Sequence, residues 1–389
     1  MLAIFLLFFG SFLVHRIGFL NRNNVPPAVV GGLLCSTLVA VLGGFGVVDV
    51  SFDLTLRDLL LLVFFSTIGL NAKISSLLKG GKVLLLLVAV CSCFLIVQNL
   101  VGVAGAFLFG REPMLGLFGG SISLAGGHGT AIAWGKIATE RGVEGAAEFG
   151  IACATLGIIA GGLLGGPLAG RLVASRGLQP RKEPDIHVDR GGGGKLPVPG
   201  NCLSIQDFMG TILALALCIS IGNAVNQYLF ARHITLPGFL TAMMVGVTIT
   251  NVIEPFRIHL RHGAIEVLSG VSLQLFLTMS LASMNLLALQ DSAFLLVIVM
   301  GVQLVLVVLY ATRVVFRMMG ADYDAAVITG GFLGLMLGAT PVAMASMDAV
   351  SSRHGHSTKA LLVVPLVGAF FIDLVNAGIL TGFLHLPFF

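Results

Sequence analysis

Two glycine-rich stretches and one carboxylate in an apolar run hold most of the chemistry open to this chain. Residues 114–135, MLGLFGGSISLAGGHGTAIAWG, hold seven glycines, and residues 324–347, DAAVITGGFLGLMLGATPVAMASM, hold four glycines and Pro341. Neither composition suits an unbroken helix, because glycine costs backbone entropy and proline removes a donor. Breaking a helix inside a membrane frees N–H and C=O groups that are expensive to leave unpaired in hydrocarbon. The same groups are ligands. Helix N-termini present N–H donors and a positive dipole end to carboxylates. Freed carbonyls and hydroxyls present oxygen to a small cation.

The first stretch offers Ser121, Ser123, Gly126, Gly127, His128, Gly129 and Thr130 to an anionic substrate. The second offers Gly334, Gly338, Ala339, Thr340 and Pro341, with Pro341 suited to the first turn of a helix that Thr340 caps. Close helix packing through small residues is the plainer reading of both. Asp373 lies in GAFFIDLVNAGIL, with Asn376 three residues on. An intramembrane carboxylate marks a function by default; ligating a cation, meeting an amine or pairing with a neighbouring basic residue are its options. Ser66, Thr67 and Asn71 interrupt the apolar run 58–78, and Gln274, Thr278, Ser280 and Asn285 do the same in 264–287. Gln98 and Asn99 are amides in mid-span, where interhelical hydrogen bonding is an equal alternative. His128 is one histidine among glycines and reads as a hydrogen-bond donor before a proton relay.

These residues need helices to hold them. Of 389 residues, 57% are hydrophobic and 10% charged, and mean hydropathy is +1.02. A soluble surface needs about 25% charged residues, so a soluble fold and disorder are both excluded. A net charge of +4 is too small and scattered for nucleic-acid binding. Cys35, Cys91, Cys93, Cys153, Cys202 and Cys218 show no zinc spacing and read as small thiols. Twelve apolar segments follow, at 1–20, 28–48, 58–78, 83–109, 114–135, 147–170, 205–230, 236–253, 264–287, 292–316, 324–347 and 360–386. A polar insert rich in Pro, Gly and charge, 175–204, parts them into 1–174 and 205–389.

Punctuation repeats between the halves at an offset of 210: Pro27 with Pro237, Gly110 with Gly320, Thr130 with Thr340. An internal repeat is expected. Parity then sets its sense. If the fifth segment of each half re-enters rather than crosses, five spans remain per half and the halves are inverted. The positive-inside rule agrees. With the N-terminus outside, Arg16, Arg22, Lys73, Lys79, Lys82 and the basic insert fall inside, as do Arg257, Arg261, Arg313, Arg317, Arg353 and Lys359. Outside loops mix acids with Arg57, Arg111, Lys136 and Arg141, and the second half leaves only Arg232 there. The expected fold is an all-α polytopic membrane protein: two inverted repeats of five transmembrane helices, each with a re-entrant hairpin.

Over nearly its whole length the chain resembles the bacterial sodium/glutamate symporter family. The stretches that carry the resemblance are SFDLTLRDLLLLVFFSTIGLNAKISSL, LFGGSISLAGGHGTAIAWGK, RMMGADYDAAV, LGATPVAMASM and LVVPLVGAFFIDLVNA. It implies Na⁺-driven uptake of L-glutamate across the inner membrane, an elevator-type homodimer, and no cofactor beyond the coupling ion. Ser123 to Thr130 and Gly338 to Pro341 would stand at the hairpin tips, with the substrate carboxylates near Thr130 and Thr340. Asp373, Asn376, Ser66, Thr67, Asn71 and hairpin carbonyls would serve Na⁺. The insert would be cytoplasmic and both termini outside. Alternatives are a Na⁺- or H⁺-coupled symporter for another organic anion such as citrate, and remotely an intramembrane aspartyl protease using Asp324 and Asp373.

Overall fold

The computed structural model describes residues 1–18, 20, 26–44, 52–72, 74–180, 203–232, 236–253, 261–284, 292–338 and 340–386. Ala339, Asn285, Cys202 and the insert's Arg181, Lys182, Arg190 and Lys195 lie outside the described residues, as do Arg22, Lys73 and Arg257. All regular structure among the described residues is helical, with no strand. In order they form α1 (Leu2–Arg16), α2 (Pro27–Gly44), α3 (Thr55–Asn71) and α4 (Ile74–Leu108). Then come α5 (Pro113–Phe118), α6 (Ser121–Leu124), α7 (Gly127–Glu140) and α8 (Ala146–Arg176). The second half gives α9 (Ile205–Phe230), α10 (Gly238–Ile253), α11 (His262–Ala282) and α12 (Ala293–Tyr310). A π turn at Ala311–Val315 extends α12 to Met318. The last are α13 (Tyr323–Leu337), α14 (Thr340–His354), α15 (Thr358–Leu366) and α16 (Ile372–Leu384), the final pair joined by a π turn at Val367–Phe371.

Among the described residues five helices are long and apolar enough to cross a membrane: Gly81–Leu108, Ala146–Arg176, Ile205–Phe230, His262–Ala282 and Ala293–Met318. Along α9, Ile205, Met209, Leu213, Leu217 and Ile221 form an exposed apolar face, which suits lipid. Local sequence sets the helix starts. Ser204 and Asp207 form a capping box, Ser204 Oγ accepting from the Asp207 N–H at 3.1 Å and Asp207 Oδ2 from the Ser204 N–H at 2.9 Å. Asp322 Oδ1 accepts the Ala325 N–H at 2.8 Å to start α13, and Ser357 Oγ accepts the Ala360 N–H at 3.2 Å to start α15. Before α3, the N–H and hydroxyl of Thr55 bond Asp53 and hold its carboxyl below the usual carboxylate range.

The chain divides into two compact units that do not follow its two halves. The first unit takes Met1–Leu13, Pro26–Leu78 and Gly193–Met284; the second takes Val14–Val25, Lys79–Gly192 and Asn285–Phe389. In the first, α3 packs against α10 and α11, and α2 against α11. Its core includes Leu70, Ala214, Leu215, Cys218 and Ile265. In the second, α8 runs between the α6–α7 and α13–α14 pairs and packs on all four helices. Its face at Gly150, Gly157, Gly161 and Gly165 makes this approach possible. At Gly157 a Cβ would run into the carbonyl oxygen of Leu337.

Candidate functional site

Both suspected stretches are broken, and both breaks lie in the second unit. In the first, α5, α6 and α7 are parted at Gly119–Gly120 and at Ala125–Gly126. Its longest helix, α7, has 14 residues, about 21 Å at 1.5 Å per residue, short of the roughly 30 Å hydrocarbon core. In the second, α13 and α14 have 15 residues each and are parted at Gly338. They fold back on one another as a helical hairpin. A Cβ on Gly334 would collide with the backbone of Ala343, placing positions on either side of Gly338 face to face. The helix after the break includes Thr340, with Pro341 in its first turn as expected.

The two breaks meet. Gly127 has φ +71°, a backbone state that glycine adopts without strain, and a Cβ there would stand 3.5 Å from the Gly338 carbonyl oxygen. On another side, α16 and the turn before it reach both stretches. Gly368 lies against Thr340, where a Cβ would come 2.6 Å from the Thr340 hydroxyl. Asn376 grips Ser121: Ser121 Oγ donates to Asn376 Oδ1 at 2.5 Å, and Asn376 Nδ2 donates to the Ser121 carbonyl at 3.1 Å. Asp373 lies between these two contacts and one helical turn before Asn376. Among the described residues its carboxylate has no hydrogen-bond or ion-pair partner, so the salt-bridge option is not taken up.

Buried amides serve the helix ends that the breaks expose. The last carbonyls and first N–H groups of any helix lack internal partners. Gln98 Nε2 donates to the Met336 carbonyl at the end of α13, at 3.1 Å. Gln303 Nε2 donates to the Gly119 carbonyl past α5 at 3.1 Å and to the Gln98 carbonyl at 2.8 Å. Asn99 Oδ1 accepts the Ser121 N–H at the start of α6, at 2.8 Å. All three amides are fully buried. The remaining atoms Gln98 Oε1, Gln303 Oε1, Asn99 Nδ2 and Ser123 Oγ are buried without a partner. Gln303 escaped the sequence reading, although one amide within a long apolar helix was a signal for it.

His128 is buried and hydrogen-bonded to α8. Thr155 donates its hydroxyl proton to the Ile151 carbonyl at 2.9 Å, so its oxygen accepts from His128 Nε2, also at 2.9 Å. Thr130 and Thr340 make no side-chain hydrogen bond among the described residues, which leaves both hydroxyls available. No group of three or more His, Cys, Asp or Glu is gathered among the described residues. A cation here would therefore be met by one carboxylate plus neutral oxygens, the donor set of a hard, weakly demanding ion.

Residues 1–356 match the profile of the family described as Sodium/glutamate symporter. The chain belongs to that family. It is 42% identical over 387 residues to the sodium/glutamate symporter of Escherichia coli (strain K12), covering 98% of this chain and 96% of the relative. The protein of the same name from Haemophilus influenzae is 38% identical over 381 residues, with 97% and 94% covered.

The rest of the expected cation set of this symporter-family chain belongs to the other compact unit. Ser66, Thr67 and Asn71 belong to α3 in the first unit. Thr67 donates to the Phe64 carbonyl of its own helix at 2.6 Å, and Asn71 Oδ1 contacts His262 Nδ1 at 3.2 Å. Ser66 Oγ is buried and unpartnered, as are Gln274 Oε1 and Ser280 Oγ on the adjacent α11. The carbonyls of Leu70 and Ala72 at the α3 terminus are met by Thr250 Oγ1 and Asn251 Nδ2, each at 2.8 Å. The interruption in α3 is thus in large part a helix end with its partners. Asp324 is likewise occupied, accepting the Ser357 hydroxyl at 2.6 Å.

Proposed function

We propose that this chain carries glutamate into the cell together with Na⁺, as a secondary transporter of the bacterial inner membrane. Likeness over 98% of the chain to a protein named sodium/glutamate symporter carries the reading. The meeting of two helix breaks beside a partnerless carboxylate supports it with chemistry. The substrate carboxylates bind at the starts of α7 and α14, near Gly127, His128, Gly129, Thr130 and Thr340. Ser121, Ser123, Gly338 and Pro341 shape the same pocket. There N–H groups and dipole ends supply the positive potential that no lysine or arginine supplies.

Na⁺ is held by Asp373 and hairpin carbonyls, with Asn376 as a further oxygen donor. Each stabilises the site of the other, so coupling is a reciprocal linkage. Each inward charge contributes about 2.3 kcal/mol per 100 mV, roughly a fifty-fold concentration ratio. The two halves are inverted repeats whose hairpins re-enter from opposite faces, which short broken helices and loop charge both favour. The insert faces the cytoplasm, the termini face outward, and two copies work as an elevator-type dimer. Proteoliposomes loaded with purified chain test the core of this. Uptake of ¹⁴C-glutamate that rises with an inward Na⁺ gradient is expected; flux indifferent to Na⁺ overturns the coupling.

A further inference from the structure

The parallel helices α8 and α14 touch closely at Gly165 and Gly166, where a Cβ on Gly166 would lie 3.2 Å from that of Ala349. Toward their C-termini they part. Gly170 has open space where a Cβ would stand, and a groove of about 420 Å³ lies alongside. Its walls are apolar, from Pro167, Ala174, Ala349 and Val350, and its mouth is basic, from Arg171, Arg353 and His354. Neither arginine has a carboxylate partner or a ring beneath it among the described residues. Arg176 differs, since its guanidinium sits 4.5 Å above the Phe316 ring. Among the described residues no acidic one lines the groove; Asp348 is exposed next to Ala349 but is not part of the lining.

Depth in the bilayer follows from length. The 31 residues of α8 extend about 46 Å, beyond the roughly 30 Å hydrocarbon core. Its last turns, with Arg171, therefore reach headgroup level. An apolar cleft ending in two unpaired guanidiniums at that level matches a ligand with a fatty chain and an anionic phosphate. Guanidinium meets phosphate with paired, charge-assisted hydrogen bonds, and basic pockets between membrane helices hold acidic headgroups. We infer that the α8–α14 groove binds an acidic phospholipid, with its headgroup phosphate between Arg171 and Arg353 and an acyl chain along Pro167 and Val350. The inference rests on the membrane reading and not on which solute is transported.

Native mass spectrometry of the purified full-length chain with phosphatidylglycerol, phosphatidylcholine or inorganic phosphate tests it. Each basic residue near a membrane surface contributes enough for roughly a fivefold gain in affinity, and two give about thirty-fold. Wild type is expected to retain phosphatidylglycerol over phosphatidylcholine. Arg171→Gln/Arg353→Gln is expected to bind it about thirty-fold more weakly, and Arg171→Gln or Arg353→Gln alone about fivefold. Arg176→Gln is expected to bind as wild type does. Should the double variant prove misfolded by size exclusion, the two single variants decide. Retention unchanged in those variants overturns the site, and displacement by millimolar phosphate or glutamate alone overturns the lipid assignment. Na⁺-dependent uptake, measured in parallel, reports on transport separately: retention without uptake counts against the proposed function and leaves the groove in place.

Discussion

Replacing Asn376 by alanine separates a structural amide from a ligand. Asn376 makes two hydrogen bonds to Ser121, one to its hydroxyl at 2.5 Å and one to its carbonyl at 3.1 Å. Ser121 is fully buried, so no solvent replaces the lost partner. Two bonds at about 1 kcal/mol net each, plus ~1–3 kcal/mol for the group left unsatisfied, give roughly 3–5 kcal/mol of destabilisation. Thermal unfolding of the purified protein without Na⁺ or glutamate measures this directly. A double-mutant cycle with Ser121→Ala should return a coupling of about 1–3 kcal/mol, because the two side chains share one network. A ligand without a scaffold role behaves differently: stability without ligand is kept, and only the stabilisation by Na⁺ disappears. If Asn376→Ala is as stable as wild type in the absence of ligand, the bridge between α16 and α6 is refuted as a structural element.

Three further outcomes follow from the same geometry. Asp373→Asn removes a charge that has no partner among the described residues, so the chain should fold with undiminished thermal stability while Na⁺ dependence of uptake is lost; a large fall in melting temperature would point to a structural role instead. Gly157→Ala drives a methyl group into the Leu337 carbonyl, and overpacking of this kind costs about 1–3 kcal/mol, measurable as a lowered melting temperature. Ser204→Ala breaks the capping box at the start of α9 and should cost ~1 kcal/mol, with the glutamate affinity in uptake assays left as it was.

The twelve apolar segments read from the sequence correspond to twelve helical stretches, counting α5–α7, α13–α14 and α15–α16 as one each. They were legible because a span needs about 20 apolar residues and glycine or proline marks its failure. The break at Gly338 was visible for that reason. Other features left no such mark. The π turn Val367–Phe371 is VGAFF, a composition that fits an α-helix equally well, yet it sets Gly368 against Thr340. Thr67 looked like a ligand, but its hydroxyl back-bonds to its own helix, and sequence does not separate those two fates. The interleaving of both halves in each compact unit was illegible too. A repeat tells which segments are alike, whereas packing depends on which faces fit.

The choice of side chains around the breaks follows from what a severed helix leaves behind. Each end exposes carbonyls that need donors or N–H groups that need acceptors. An amide supplies both: Gln98 and Gln303 meet the carbonyls of Met336 and Gly119, Asn99 meets the Ser121 N–H, and Asn376 ties down Ser121 through its hydroxyl and carbonyl. A carboxylate could answer only the N–H groups, and at the cost of burying a charge. Amides therefore suit the knot that holds the two tips together, and a charge suits the position outside it. Asp373 occupies that outside position, on the helix that together with the turn before it reaches both broken stretches, its oxygens unclaimed among the described residues. Exchanging the roles tests the logic: Gln303→Glu leaves the carbonyls of Gly119 and Gln98 facing an anion, and should destabilise the chain by more than Gln303→Leu does in the same thermal assay. Equal losses would mean that hydrogen bonding to the freed carbonyls is not what the buried amide is for.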